Sequence, residues 1–154
     1  MGIEIERKFL VKSDEWKSLG KSIFYKQGYL LSDKNRTIRI RTIDDKGFIT
    51  IKSSVKGISR NEFEYEIPVE EARVILETLC EKPFIKKYRT KIQLNELVWE
   101  VDEFIDENDG LVIAEVELEN ENQKIDIPNW IGEEVSGDKK YFNSMLVKNP
   151  FTKW

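Results

Sequence analysis

Carboxylates and bases recur in this chain at a spacing of two, and that spacing could bind a metal and a polyanion side by side. The acidic pairs are Glu4 and Glu6, Glu62 and Glu64, and Glu115 and Glu117. The basic pairs are Arg39 and Arg41, and Lys87 and Arg89, with Lys8, Lys52, Glu100 and Asp102 at matching positions. Arg forks match phosphate oxygens bidentately, and Lys adds a compact charge. Carboxylates hold hard cations such as Mg²⁺ or Mn²⁺, which in turn bridge phosphate oxygens. The chain has no His and one Cys. That excludes Ser–His and Cys–His catalysis, a histidine general base and HExxH zinc sites. It also excludes an intrachain disulfide and a Cys-based metal cluster. A bound metal must therefore be held mainly by oxygen.

The elements that position these residues are mostly strands. Period-2 alternation covers 3–11, 36–43, 48–53, 61–67, 86–93, 97–105 and 111–119. Asp44, Asp45 and Gly47 give one hairpin signal, and Asn108-Asp109-Gly110 gives another. Helical pattern spans 69–81, entered at Pro68 and followed by Pro83. Shorter helices are expected at 13–19, capped by Ser13, at Pro128–Glu134, and at 138–148. Trp16, Trp99 and Trp130 lie on apolar patterns and read as core, and Cys80 reads as a small buried hydrophobe. No linker or repeat divides the chain, so 1–154 is read as one domain.

Residues at i and i+2 on a strand share a face. Each charged set above therefore projects from one face of its strand. A solvated outer sheet face is the ordinary reading of such alternation. Two details oppose it here. The charged positions are almost free of Ser, Thr and Gln, and like charges sit together. Two such charges about 6.6 Å apart repel by roughly 2.5 kcal/mol at an effective dielectric of ~20. An enclosed setting then demands counter-charges or a ligand. Beside the solvated sheet face, the alternation therefore allows an inverted closed antiparallel β-barrel of about eight strands, polar within and apolar without. A few helices would pack outside it, in an α+β, mostly β fold. Its natural guest is a linear triphosphate.

Composition agrees. Of 154 residues, 29 are acidic and 25 basic, a net charge of −4, and 35% are charged. An acidic balance disfavours a duplex nucleic-acid partner. No apolar run reaches the 18 or more residues of a membrane span. The N-terminus is charged where a signal peptide needs an apolar stretch, so the expected location is cytoplasmic. A homodimer is compatible with the sequence but not deducible from it.

These residues carry a resemblance. Glu4-Ile5-Glu6-Arg7-Lys8 matches the ExExK signature of the triphosphate tunnel metalloenzymes, the CYTH superfamily. Ile38-Arg39-Ile40-Arg41, Thr50-Ile51-Lys52, Arg60 to Glu66, Lys87-Tyr88-Arg89, Trp99 to Asp102, Ala114 to Leu118 and Gly137 to Asn143 follow in the family's order. The resemblance, closest to the small bacterial inorganic triphosphatases, implies Glu4, Glu6, Glu115 and Glu117 as metal ligands, joined by Glu62 or Glu64. It implies Lys8, Arg39, Arg41, Lys52, Lys87, Arg89 and Lys139 as phosphate clamps. Lys8, Lys87 and Asp102 are the residues it would place closest to catalysis, with Asp102 orienting a base or a water. Tyr29 resembles a tunnel tyrosine of the family and equally fits the core or rim. Glu66 reads as solvated, and Glu100 as neutralising a neighbouring base.

The implied activity is metal-dependent hydrolysis of inorganic triphosphate to pyrophosphate and phosphate, with Mg²⁺ or Mn²⁺ and a metal-activated water. The alternatives are a nucleoside or other organic triphosphatase, a class IV adenylate cyclase, and a non-catalytic polyphosphate-binding module. The compact chain leaves little sequence for a nucleoside pocket, and the full carboxylate set counts against binding alone.

Overall fold

A computed structural model describes residues 2–154. Nine strands run in the order β5-β4-β3-β2-β6-β7-β8-β1-β9, and β5 pairs back onto β1. The strands are β1 (Gly2–Val11), β2 (Ser22–Ser32), β3 (Arg36–Ile43), β4 (Lys46–Ser53), β5 (Ser59–Ile67), β6 (Ile85–Leu94), β7 (Leu97–Phe104), β8 (Val112–Glu117) and β9 (Ile131–Glu134). Every pairing is antiparallel. The first eight strands close the expected barrel, and β9 is an extra strand. Closure rests on β1, whose residues Gly2–Ile5 face β5 while Phe9–Val11 face β9.

The barrel is inverted, as the alternation allows. Its outer face carries Phe9, Trp99, Val101, Ala114 and Val116, packed beneath Trp16, Trp130 and Ile131. Trp99 meets Trp130 edge-on at 5.9 Å and Phe9 at 5.6 Å. Helix α1 (Val69–Leu79) covers another part, with Ala72 and Leu76 buried against Ile40. Gly47 permits that approach, because a Cβ there would lie 2.6 Å from the Ala72 Cβ. The turn from β3 to β4 is the two-residue Asp44-Asp45 pair, with Asp44 at φ 52°, as its turn chemistry requires.

One end of the interior is apolar. Ile85, Phe104 and Ile113 continue the inward faces of β6, β7 and β8, and they pack with Tyr29, Tyr141, Leu146 and Val147. The last two belong to α2 (Asn143–Lys148). The C-terminal segment therefore fills that end of the barrel.

Several expectations need correction. Strand β2 is absent from the expected strands because it carries no clean alternation: Tyr25, Gln27 and Tyr29 line one face, and Gly28 interrupts the other. Pro128–Glu134 is not helical; Ile131–Glu134 is strand β9, captured by the free edge of β1. The expected helix at 138–148 is broken by extended Phe142 (φ −68°, ψ 136°) into a 3-10 turn at Lys139–Tyr141 and α2. The helix at 13–19 is a 3-10 turn at Glu15–Ser18, preceded by Asp14 rather than capped by Ser13. The Asn108-Asp109-Gly110 signal lies in a wider connection that begins as a 3-10 turn at Asp106–Asn108.

Candidate active site

A cavity of about 190 Å³ occupies the polar part of the barrel. Seven bases line it: Lys8, Arg39, Arg41, Lys52, Arg60, Lys87 and Arg89. Seven acids face them: Glu4, Glu6, Glu62, Glu64, Glu100, Glu115 and Glu117. Strand order sorts most of the charge into two arcs. β4, β3 and β6 carry Lys52, Arg39, Arg41, Lys87 and Arg89, while β7, β8, β1 and β5 carry the acids. The structure thus lines the cavity with every residue implied by the resemblance except Asp102, which is buried behind Lys87 and Arg89, and Lys139. Lys139 is exposed on its 3-10 turn and does not line the cavity.

The bases and acids are extensively paired. Arg89 takes Asp102 in two parallel bonds and reaches Glu115 and Glu100, each at 3.2 Å. Lys87 Nζ lies 2.9 Å from Asp102 Oδ2, with both side chains 1% exposed. Lys8 Nζ is 3.3 Å from Glu115, and Lys52 and Arg60 are each 3.1 Å from Glu4. Glu64 Oε2 accepts from Thr50 Oγ1 at 2.6 Å and from Arg41 Nη2 at 3.1 Å. Glu100 neutralises Arg89, as expected, and Glu66 is exposed.

These pairings polarise the titrations. Burial alone would raise Glu4, but Lys52 and Arg60 outweigh it and hold that carboxyl at about 2. Burial likewise opposes Lys8 and Arg89, which keep Glu115 well below the carboxylate range. Glu6 differs: burial, with the charges of Glu115 and Glu4, pushes it up to about 8. Glu117 is raised by burial and by Glu4 and Glu62. Burial pulls Lys87 down to about 8 against the attraction of Asp102. Burial and Arg39 bring Arg41 down to about 10.

Two kinds of group are left without partners among the described residues. Glu6 and Glu117 stand directly opposite on β1 and β8, and neither carboxylate has an ion pair. The Nε–H groups of Arg39 and Arg41 are buried without an acceptor. Like charges directly across a ladder destabilise it, and orphaned buried donors cost about 1–3 kcal/mol each. Carboxylates gathered on one arc suit a cation, and guanidinium groups gathered on the other suit an anion. No three acidic side chains converge tightly enough to form a ready metal cluster among the described residues. Glu4 and Glu115 are held by bases instead. The all-oxygen donor set and the unpaired Glu6–Glu117 couple nonetheless suit a hard divalent cation.

Five lining residues were missed as site residues by sequence reasoning, Thr37 among them, on the inward face of Arg39 and Arg41. Arg60 shares the inward face of Glu62 and Glu64, so its spacing already carried the signal. Phe142, Asn143 and Ser144 carried no periodicity, although the first two lie in the resembling segment Gly137 to Asn143, because only the break before α2 turns them into the cavity. Tyr29 satisfies both of its readings, lining the cavity while 4% exposed.

A closed antiparallel barrel with a charge-sorted interior, acids on one arc and bases on the other, defines a polar-cored barrel suited to a polyanion with a divalent cation. The CYTH domain model matches residues 2–145, and the chain belongs to that family. It is 57% identical over 151 residues to the inorganic triphosphatase of Acetivibrio thermocellus, spanning 98% of this chain and 97% of that protein. It is 34% identical over 148 residues to the inorganic triphosphatase of Nitrosomonas europaea, spanning 94% and 96%. A crystal structure of an inorganic triphosphatase superposes with a TM-score of 0.67 at 32% identity, covering 94% of this chain and 93% of that one. The family implies a divalent metal. No helix is long and apolar enough to cross a membrane among the described residues.

Proposed function

We propose that this protein hydrolyses inorganic triphosphate to pyrophosphate and phosphate, with Mg²⁺ or Mn²⁺, as a cytoplasmic enzyme. The observation that carries this reading is a cavity that gathers Arg39, Arg41, Lys52, Lys87 and Arg89 on one arc and the unpaired Glu6 and Glu117 on the other. A short polyphosphate with a divalent cation satisfies both at once. The two named relatives, inorganic triphosphatases by name, support the choice of substrate.

The chain's own residues divide the work. Arg39, Arg41, Lys52, Lys87 and Arg89 neutralise the phosphate oxygens and hold the chain of phosphates in line. Lys8 sits between Glu115 and the floor carbonyl of Tyr141, where it can follow charge as it develops on a leaving oxygen. Asp102 orients Lys87 and Arg89 from behind the cavity wall. Glu6 and Glu117, joined by Glu4 and Glu115 once substrate draws off their bases, would hold the cation. A bound divalent cation supplies Lewis-acid polarisation of phosphoryl oxygens and raises the acidity of water. Phosphoryl transfer needs little beyond such positioning and charge stabilisation.

The test is product analysis on purified protein with inorganic triphosphate and with ATP, each with Mg²⁺, Mn²⁺ or EDTA. Phosphate and pyrophosphate from inorganic triphosphate, lost in EDTA, is the expected result. Cyclic AMP from ATP, or no turnover of inorganic triphosphate in any metal, overturns it.

A further inference from the structure

The floor of the cavity contains an asparagine whose side chain is oriented unambiguously. Asn143 Oδ1 accepts from Lys87 Nζ at 2.9 Å and from Gln27 Nε2 at 3.2 Å. An ammonium has no acceptor lone pair, so the atom facing Lys87 must be the oxygen. Gln27 is 0% exposed and fixes the same oxygen from the other side. The Asn143 amide nitrogen is then left with both N–H groups, and it has no protein acceptor among the described residues. Asn143 lines the cavity and is half-buried, so that nitrogen borders the space between the bases.

Lys87 is donor-rich in the same way. Of its three N–H groups, Asp102 takes one and Asn143 another. The third has no acceptor among the described residues. Lys87 and Asn143 thus form one unit with donors left over, tied at its back to Asp102 and Gln27.

We propose that Asn143 is a positioning and binding residue of this cavity: its carbonyl holds Lys87, and its amide N–H groups take a substrate phosphate oxygen alongside that lysine. This rests on the polyphosphate reading of the cavity. It assigns to the C-terminal segment a direct part in holding substrate as well as in closing the barrel.

Two substitutions separate the roles. Asn143→Ala removes both acceptor and donor. Asn143→Asp keeps an acceptor for Lys87 and Gln27 but sets a carboxylate where the amide met the substrate. Binding of tripolyphosphate in EDTA is followed by calorimetry, KM is read in turnover, and melting temperature reports folding. Expected is a roughly tenfold to hundredfold weaker affinity for Asn143→Ala, the scale of a hydrogen bond to a charged group. Asn143→Asp should bind more weakly still, while melting no lower than Asn143→Ala. Affinity within twofold of wild type for Asn143→Ala overturns the proposal. So does equal loss in both variants in step with their melting temperatures, which marks a purely structural role.

A measurement on the unsubstituted protein guards against variants that fail to fold. The ¹⁵N side-chain amide resonances of Asn143 should move with tripolyphosphate in EDTA, at a concentration that has already shifted the Arg39 amide. A shift at Arg39 without one at Asn143 overturns the proposal. If the wild type binds tripolyphosphate but releases no phosphate from it in any metal, the hydrolase reading falls while these binding tests still decide the role of Asn143.

Discussion

Arg89 grips Asp102 through two parallel hydrogen bonds, Nε to Oδ1 at 2.7 Å and Nη2 to Oδ2 at 2.8 Å. Burial opposes charge on Asp102, but Arg89 and Lys87 together lower its pKa. Asp102→Ala leaves two buried bases without their shared counter-ion. Breaking a buried pair from one side costs about 3–5 kcal/mol, and each kcal/mol moves the melting temperature of a chain this size by about 2–4 °C. A fall of roughly 10 °C is expected by differential scanning calorimetry, with part of it recovered on adding tripolyphosphate.

Glu115 stands between Lys8 and Arg89, at 3.3 and 3.2 Å. Glu115→Gln removes its charge and keeps its shape. Turnover of inorganic triphosphate should fall at least a hundredfold while tripolyphosphate binding in EDTA stays measurable. Phosphate release close to wild type would remove Glu115 from the metal side.

The pH dependence of stability in EDTA follows from Glu6. Its folded pKa, about 8, lies above the ordinary value of 4.5. Between those values the folded state holds a proton that the unfolded chain has released, so stability falls as pH rises. Melting temperature should therefore decline from pH 5 to pH 8, and Glu6→Gln should flatten that decline. An unchanged slope in the variant would assign it elsewhere.

Ligand should offset the like-charge repulsion within each arc of the cavity. Tripolyphosphate with Mg²⁺ binds only the folded state, and at a hundredfold excess over Kd it adds about 2.7 kcal/mol. By the same scaling, an upward shift of about 5–10 °C is expected in a thermal melt. No shift at millimolar ligand counts against a preformed site.

Leu146 is 0% exposed among the apolar side chains that fill the barrel end. Leu146→Ala should cost about 2–5 kcal/mol, read as a lower denaturation midpoint.

The site was legible where strands alternate cleanly. Glu4, Glu6 and Lys8 on β1, or Arg39 and Arg41 on β3, declare a common face by parity alone, and strand pairing then brings the faces together. The outer core was legible too, because Trp16, Trp99 and Trp130 have nowhere else to bury. Strand β2 was not, since its inward Tyr25, Gln27 and Tyr29 are neither plainly apolar nor charged. Strand β9 was hidden for another reason: its four residues are strand only because β1 offers them an edge. Asn143 depends on a single extended residue, Phe142, and no periodicity records such a break.

The way β1 closes the barrel also constrains how the chain is made. Its partners are Arg60 for Glu4, Glu117 for Glu6 and Glu134 for Phe9. The first strand must wait, unpaired on one or both edges, until residues more than a hundred positions downstream have emerged. Such long-range pairing makes for slow folding. The carboxylates of β1 meet those of β8 only at that late step. In a nascent chain these carboxylates are therefore still apart, and the charged interior forms when nearly the whole polypeptide is present to balance it.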